Sequence, residues 1–326
     1  MLDFVGKRFY YFGFSAIIIL IGIAALAIPP TLKGSIEFTG GSSLDIVFSE
    51  PVLLDNVRTA MAELGHSDAV IQRSGLSTGA DRISDSYFIR TKTLDGPVLD
   101  GNGNVVVPGE KDVIQQGLSD RLVPIQALDF FSVSPIIASE TVRNAGIAVV
   151  VAILLVLLFI TWAFRRIPSS FRYGVAAVIA LLHDVIIVVG IYALLSKFIT
   201  LEINTMFIVG VLTIIGYSVN DTIVVFDRIR ENAVRGVGRS FENTVNISIL
   251  ETMGRSLNTS LTLLVVLAAL VLFGGSTIRP LVIVLLVGLV AGTYSSIAIA
   301  SQFLVIWEKG ELGRILRRLP LIPRRA

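Results

Sequence analysis

The chain has 326 residues and a net charge of +2; 53% of its residues are hydrophobic, only 16% are charged, and its mean hydropathy is +0.79. A soluble chain carries about a quarter charged residues, so this composition excludes an ordinary globular protein and indicates an integral membrane one. Cysteine is absent and the only histidines are His66 and His183, which excludes disulfides, thiolate zinc and iron–sulfur sites and leaves little scope for a histidine metal centre; no cofactor is expected.

In chain order, the first apolar run is Phe9–Ile28, about the 20 residues needed to cross about 30 Å of hydrocarbon. Lys7-Arg8 before it and Ala25-Leu26-Ala27 at its end resemble a signal peptide. The run exceeds a usual signal core, however, and Pro29-Pro30 would follow the cut, so a retained anchor is expected. Ser35 to about Glu140 then reads as a globular segment. Leu44, Ile46 and Phe48 alternate as in a strand. Leu53, Val57, Met61 and Leu64 repeat with helical spacing before the stop at Gly65. Strands are expected over Ala69–Arg73, Arg82–Thr91 and Leu128–Val133, with a second helix over Asp112–Val123 using Val113, Leu118 and Leu122. The order β-α-β-β-α-β is a recurrent ferredoxin-like motif. Asp100-Gly101-Asn102-Gly103-Asn104 superficially resembles a calcium loop, but Val105 replaces the required glycine and Lys111 stands at the acidic twelfth position. A Gly/Asn hairpin turn is the better reading.

Five further spans follow near Ala145–Phe164, Tyr173–Leu195, Ile203–Phe226, Ser256–Phe273 and Leu281–Trp307. The expected division is a first membrane helix over 1–30, an extracytoplasmic α+β domain over 31–140, helices two to six over 141–310 and a basic cytoplasmic tail over 311–326. Lys7, Arg8, Arg165, Arg166, Arg172, Arg228, Arg230, Arg235, Arg239 and the tail basics from Lys309 to Arg325 fall on one side, against Lys197 and Arg279 on the other. By the positive-inside rule both termini are cytoplasmic. Phe241, Val245, Ile249 and Met253 repeat every four residues, as in an amphipathic helix lying on that face. Arg314-Ile315-Leu316-Arg317-Arg318 reads as an anchor to anionic headgroups of the membrane lipid.

Polar groups inside the spans are the functional candidates, because they are costly in hydrocarbon unless they face a bundle interior or a water path. Thr213, Tyr217, Asn220 and Asp221 form one stripe along the fourth span. Arg255, Asn258, Thr259 and Thr262 share a face at the start of the fifth. The two spans are antiparallel, so Asp221 and Arg255 are expected at similar depth and able to pair. Burial favours a protonated carboxyl and a nearby cation opposes it, so Asp221 is read either as half of a structural ion pair or as a proton carrier partnered by Arg255. His183-Asp184 lies midway along the third span. Only one of two neighbours is expected to face the core squarely, so His183 is read as structural and Asp184 as a secondary relay. The candidate proton-transport residues are therefore Asp221, Arg255, Asn220, Thr259 and Asp184.

Gly216-Tyr217-Ser218-Val219-Asn220-Asp221-Thr222-Ile223-Val224-Val225-Phe226-Asp227-Arg228-Ile229-Arg230-Glu231-Asn232 resembles the signature of the SecF subunits of the bacterial SecD–SecF protein-export family. Arg255-Ser256-Leu257-Asn258-Thr259-Ser260, Leu182-His183-Asp184 and Ser35-Ile36-Glu37-Phe38-Thr39-Gly40-Gly41 also match. The chain departs from the usual pattern at Glu37, where the family has Asp, and at Ser134, where it has Gly. The first keeps the charge, and the second touches only the turn into the second span. The resemblance implies a membrane all-α bundle of six helices, half of a resistance–nodulation–division fold completed by SecD, with the α+β domain outside. It implies export driven by the proton-motive force in the cytoplasmic membrane, with the residues matching Asp221 and Arg255 associated with proton conduction. Implied partners are SecD, the SecYEG translocon and unfolded preprotein, with YajC and YidC as further candidates and no nucleic acid.

Two rival functions remain at this point. A small-molecule or lipid exporter of the same superfamily would need a far larger external domain than about 105 residues to enclose a drug-sized pocket. An intramembrane protease would need a nucleophile–base pair or two catalytic aspartates within reach of each other, and the sequence has no Cys, no His-Glu-x-x-His and no Gly-x-Ser-x-Gly.

Overall fold

The computed structural model describes residues 3–29, 31–73, 83–101, 105–167, 169–199, 201–275 and 278–311. In chain order the elements are α1 (Arg8–Ala27), β1 (Lys33–Gly34), α2 (Ile36–Thr39), β2 (Gly41–Leu53), α3 (Leu54–Glu63), β3 (Val70–Arg73), β4 (Ile83–Thr91), β5 (Val98–Leu99), β6 (Val105–Val107), α4 (Glu110–Arg121), β7 (Ile125–Val133), α5 (Pro135–Ala163), α6 (Ser170–Leu195), β8 (Glu202–Ile203), α7 (Thr205–Val234), α8 (Phe241–Phe273), α9 (Arg279–Ser295) and α10 (Ser301–Glu308). They fall into two compact units, Gly34–Asn144 on one hand and Met1–Lys33 with Ala145–Ala326 on the other.

In the smaller unit an antiparallel sheet runs β3-β4-β2-β7. With α3 and α4 this is the β-α-β-β-α-β arrangement expected from the pattern. Leu44, Ile46 and Phe48 all point inward from β2, as strand alternation requires, and meet Val57 and Met61 of α3 and Ile114 and Leu118 of α4. On α4 the buried residues are Ile114 and Leu118; of the expected Val113, Leu118 and Leu122, only Leu118 is fully buried and Leu122 is half-buried. The helix begins at Glu110, two residues earlier than expected, and Val113 faces outward. At the start of β2, Gly41 has φ of +123°, and a Cβ there would lie 2.7 Å from the Thr91 carbonyl oxygen, so only glycine fits. β5 and β6 pair antiparallel on either side of the expected Gly/Asn turn; Asn102, Gly103 and Asn104 lie outside the described residues.

Tyr87, fully buried on β4, donates a 2.6 Å hydrogen bond to the Val52 carbonyl. Burial pushes its phenol above the ordinary value of 10.0. The folded form therefore holds this proton more tightly than the unfolded chain. The resulting stability is fully present below about pH 10 and is lost as pH rises through the raised value. Tyr87→Phe is expected to cost about 1 kcal/mol and to remove this alkaline contribution, read by hydrogen exchange of β2 and β4 amides in the full-length chain.

Six helices among the described residues are long and apolar enough to cross a membrane: Arg8–Ala27, Pro135–Ala163, Ser170–Leu195, Thr205–Val234, Phe241–Phe273 and Arg279–Glu308. α6, α7 and the last helix form the centre, each buried over half or more of its apolar window, while α5 is buried over only 6%. The amphipathic segment expected over Phe241–Met253 is not a separate surface helix. It continues into the fifth span as α8, 33 residues long, its start capped by the Ser240 hydroxyl accepting from the Asn243 amide. No glycine or proline stands at the expected boundary to break the hydrogen-bond ladder except Gly254, which a helix tolerates. The last helix is interrupted by a π-helical turn over Ser296–Ala300. The tail expected over 311–326 lies, apart from Glu311, outside the described residues.

Small residues set the spacing of the central helices, as is common where hydrocarbon supplies no hydrophobic drive. Gly22 of α1 faces Gly190 of α6 so closely that a Cβ on either would lie 2.7 Å from the other's Cα. On α9, Gly288 accommodates Ile214 of α7, and Gly292 accommodates Ser218 one turn further on. These contacts bring hydroxyl groups of neighbouring helices within reach of α6.

Candidate functional site

His183 and Asp184 are both buried, contrary to the expectation that only one would face the core. The cause is the position of α6 at the centre: α1 packs on one side and α7 and α9 on the other, so residues 100° apart on the helix both meet protein. His183 Nδ1 lies 3.0 Å from Asp184 Oδ1, and Nε2 lies 3.0 Å from Ser15 Oγ of α1. Ser218 Oγ of α7 and Ser295 Oγ of α9 donate to Asp184 Oδ2 at 2.6 and 2.7 Å. Ser15 reaches Tyr294 Oη at 3.2 Å, and Tyr294 donates to the Tyr11 carbonyl at 2.8 Å. Four helices thus meet at one polar cluster inside the bundle. Sequence reasoning passed over Ser15, Ser218, Ser295 and Tyr294. The usable signal was the run Ser295-Ser296 and Ser301-Gln302 inside an otherwise apolar span. The π-helical turn begins right after Ser295, and such turns cluster at functional positions.

Asp221 is buried on the α8-facing side of α7, and its Oδ2 has no hydrogen-bond partner among the described residues. Its neighbour across the interface is Ser260, which also contacts Tyr217 Oη at 3.2 Å and Thr293 Oγ1 at 2.6 Å. The expected contact pair with Arg255 is absent. The Arg255 side chain is exposed and lines a cavity of about 280 Å³ with Val224, Asp227, Arg228, Glu231, Glu251 and Thr252. The reason is depth. Ser260, not Arg255, stands opposite Asp221, and five residues of helix displace Arg255 by about 7.5 Å along the axis.

Two other candidates are also placed differently from expectation. Asn220 belongs to the expected stripe but is exposed on the chain, one residue round the helix from Asp221. Thr259 is exposed and turns its hydroxyl to its own helix, donating to the Arg255 and Ser256 carbonyls at 3.1 and 2.9 Å; the hydroxyl beside Asp221 comes from the next residue. A single step along a helix is 100°, enough to exchange an interior position for an outer one.

Beyond Asp221, the end of α7 is tied to α8 by charges. Arg228 contacts Glu251 at 2.7 Å and Glu231 at 2.5 Å, Arg235 reaches Glu231 at 2.7 Å, and Asn232 donates to Glu251 and Ser248. These partly exposed pairs are each worth at most about 1 kcal/mol. Arg228, Glu231 and Glu251 are also walls of the cavity that Arg255 lines. Among the described residues, no group of three or more His, Asp or Glu is arranged to hold a metal ion.

Residues 115–310 match the family model described as protein export membrane protein SecD/SecF, C-terminal. A protein translocase subunit SecF of Thermobaculum terrenum is 42% identical over 318 residues, covering 98% of each chain. The SecF subunit of Anaerolinea thermophila is 39% identical over 321 residues, again covering 98% of each. A crystal structure of SecDF from Thermus thermophilus, titled a translocon-associated membrane protein, matches with a TM-score of 0.73 at 31% identity, over 94% of this chain and 39% of that one. This chain therefore spans about two fifths of that SecDF chain, and nearly the full length of the SecF relatives. The chain belongs to the SecD/SecF family of protein-export membrane proteins, among its SecF translocase subunits.

Proposed function

We propose that the chain couples proton movement to preprotein export as a non-enzymatic subunit, with Asp221 as the proton carrier. The observation that carries this reading is the bare, buried Oδ2 of Asp221; a polar cavity begins at Val224, about one turn further along the same helix. A buried carboxylate oxygen without a partner is costly, and taking up a proton removes the charge. Arg255 lies outside contact distance and biases that equilibrium through space. The cavity it lines, walled by Asp227, Arg228, Glu231 and Glu251, provides a water route from one end of the bundle. Asp184 belongs to the neighbouring cluster on α6.

The same reading assigns partners and orientation. Thr213 and Asn220 of α7 and Asn258, Thr259 and Thr262 of α8 are exposed on the isolated chain, at membrane depth, where exposed polar side chains are disfavoured. A second helical bundle covering them accounts for their presence, and SecD is that partner. SecYEG, YajC, YidC and the unfolded preprotein are further partners. The chain lies in the bacterial cytoplasmic membrane with both termini cytoplasmic, a placement supported by the bias of basic residues; the α+β domain is then extracytoplasmic and handles substrate.

Vesicles containing the chain with co-expressed SecD are expected to take up protons when a membrane potential is imposed, and to take up none without SecD. SecYEG is expected to co-purify with the pair, whereas a periplasmic adaptor co-purifying in its place would favour a small-molecule exporter. Potential-driven uptake that is absent from the assembled pair would overturn the coupling reading.

A further inference from the structure

We infer that His183 and Asp184 form a second proton-holding site, separate from Asp221, that carries one shared proton, is neutral overall and joins four helices. Keeping every one of the contacts around the pair requires two hydrogens on it. Tyr294 Oη lies 2.8 Å from the Tyr11 carbonyl oxygen, which only accepts, so the phenol hydrogen is committed there. Ser15 Oγ donates its single hydrogen to Tyr294 at 3.2 Å. Facing His183 Nε2 at 3.0 Å, Ser15 Oγ must then accept, and Nε2 carries a hydrogen. On the other side of the ring, Nδ1 and Asp184 Oδ1 stand 3.0 Å apart and need a hydrogen between them. Asp184 Oδ2 is not its seat, because the Ser218 hydroxyl donates to that atom at 2.6 Å and the Ser295 hydroxyl at 2.7 Å, closer than the 3.2 Å from Ser295 to its other acceptor, the Gly292 carbonyl.

The shared hydrogen rests on Nδ1, as imidazolium and carboxylate, or on Oδ1, as imidazole and carboxylic acid. Either way the pair holds two protons and has no net charge. The side chains facing it are Ser15 on α1, Ser218 on α7 with Asp221 one turn further, and Tyr294 and Ser295 on α9, with the Tyr11 carbonyl of α1 behind Tyr294. Among these there is no lysine or arginine, so loss of the shared proton leaves an uncompensated negative charge inside the bundle. Such a charge is costly there, which is the physical reason for keeping the site loaded. Discharge has a defined consequence: the one hydrogen left on the pair stays between Nδ1 and the Asp184 carboxylate, the proton lost is in effect that of Nε2, and Ser15 turns its hydroxyl to the bare Nε2 at 3.0 Å and gives up Tyr294 at 3.2 Å, loosening α1 from α9. A role for the pair in transport rests on the proton-coupling reading; its loading with a proton does not.

The test uses the full-length chain with SecD in lipid vesicles, labelled with ¹⁵N-histidine. The chain has two histidines, so His66→Gln leaves His183 as the single signal. Infrared difference spectra between the parent and Asp184→Asn read the state of the carboxyl group; if Asp184→Asn does not fold, Asp184→Glu shifts the same band instead of deleting it. At neutral pH the inference expects two hydrogen-bearing ring nitrogens, or one bare nitrogen together with a protonated Asp184 band. One bare nitrogen with an ionised Asp184 overturns it. The His183 signal is expected to be the same in Asp221→Asn, whether or not that variant transports protons. A signal that follows the Asp221 replacement would make the two sites one and also overturn the inference.

Discussion

Asp221→Asn is expected to leave a folded, membrane-inserted chain whose preprotein export no longer responds to the proton-motive force. Asparagine fills the same volume on α7 and relieves a buried oxygen that lacks a partner, so chain levels and SecD association are expected to be unchanged. What is expected to disappear is proton exchange at this position. One charge crossing 100 mV contributes about 2.3 kcal/mol, roughly fifty-fold in a rate or an equilibrium, and this sets the scale of the loss. Export into inverted vesicles, compared with and without a collapsed potential, reads it directly. Potential-dependent export at the parent level would remove Asp221 from the carrier role. Asn220→Ala, one residue away but on the exposed side of α7, is expected to have a much smaller effect on the same ratio.

Gly190→Leu is the substitution expected to damage the bundle most. A Cβ at this position would lie 2.7 Å from Gly22 Cα, and the obstacle is backbone rather than a side chain able to move aside. The helices α1 and α6 must separate. Overpacking in a well-packed core costs about 1–3 kcal/mol, and here the penalty is expected at or beyond the upper end, because separation also withdraws Ser15 from His183. A thermal melt of the detergent-solubilised chain should show a clear loss of stability already for Gly190→Ala and a larger one for Gly190→Leu. Gly146→Ala, where a Cβ would meet nothing within 4 Å, is the matched control and is expected to melt like the parent. Equal melting of all three would show that the close approach of α1 and α6 is not what holds the cluster together.

Much of the architecture was readable in the residue pattern, because its causes are local. Twenty apolar residues identify a crossing helix wherever it packs, and the alternation of Leu44, Ile46 and Phe48 identifies a half-buried strand without knowledge of its partners. The polar residues were also legible as candidates, since a carboxylate in an apolar run stands out by its cost alone. Their partners were not. Whether Asp221 meets Arg255 or Ser260 depends on how far α7 and α8 slide past one another, a distance of about one and a half turns that no local signal records. Thr259 and Ser260, or Asn220 and Asp221, are neighbours in the chain, yet one of each pair faces outward and the other inward once the helices have packed.

The membrane class, the six crossings and the α+β head follow from hydropathy and periodicity, which act residue by residue along the chain. Tertiary packing alone decided that His183 and Asp184 both lie inside and that serines from three other helices surround them. Glycines such as Gly22, Gly190 and Gly292 permit helix axes to come close enough for short hydroxyl side chains to reach across. A hydrogen bond has a reach of about 3 Å, so that sub-turn spacing, and not composition, determines which polar groups act together.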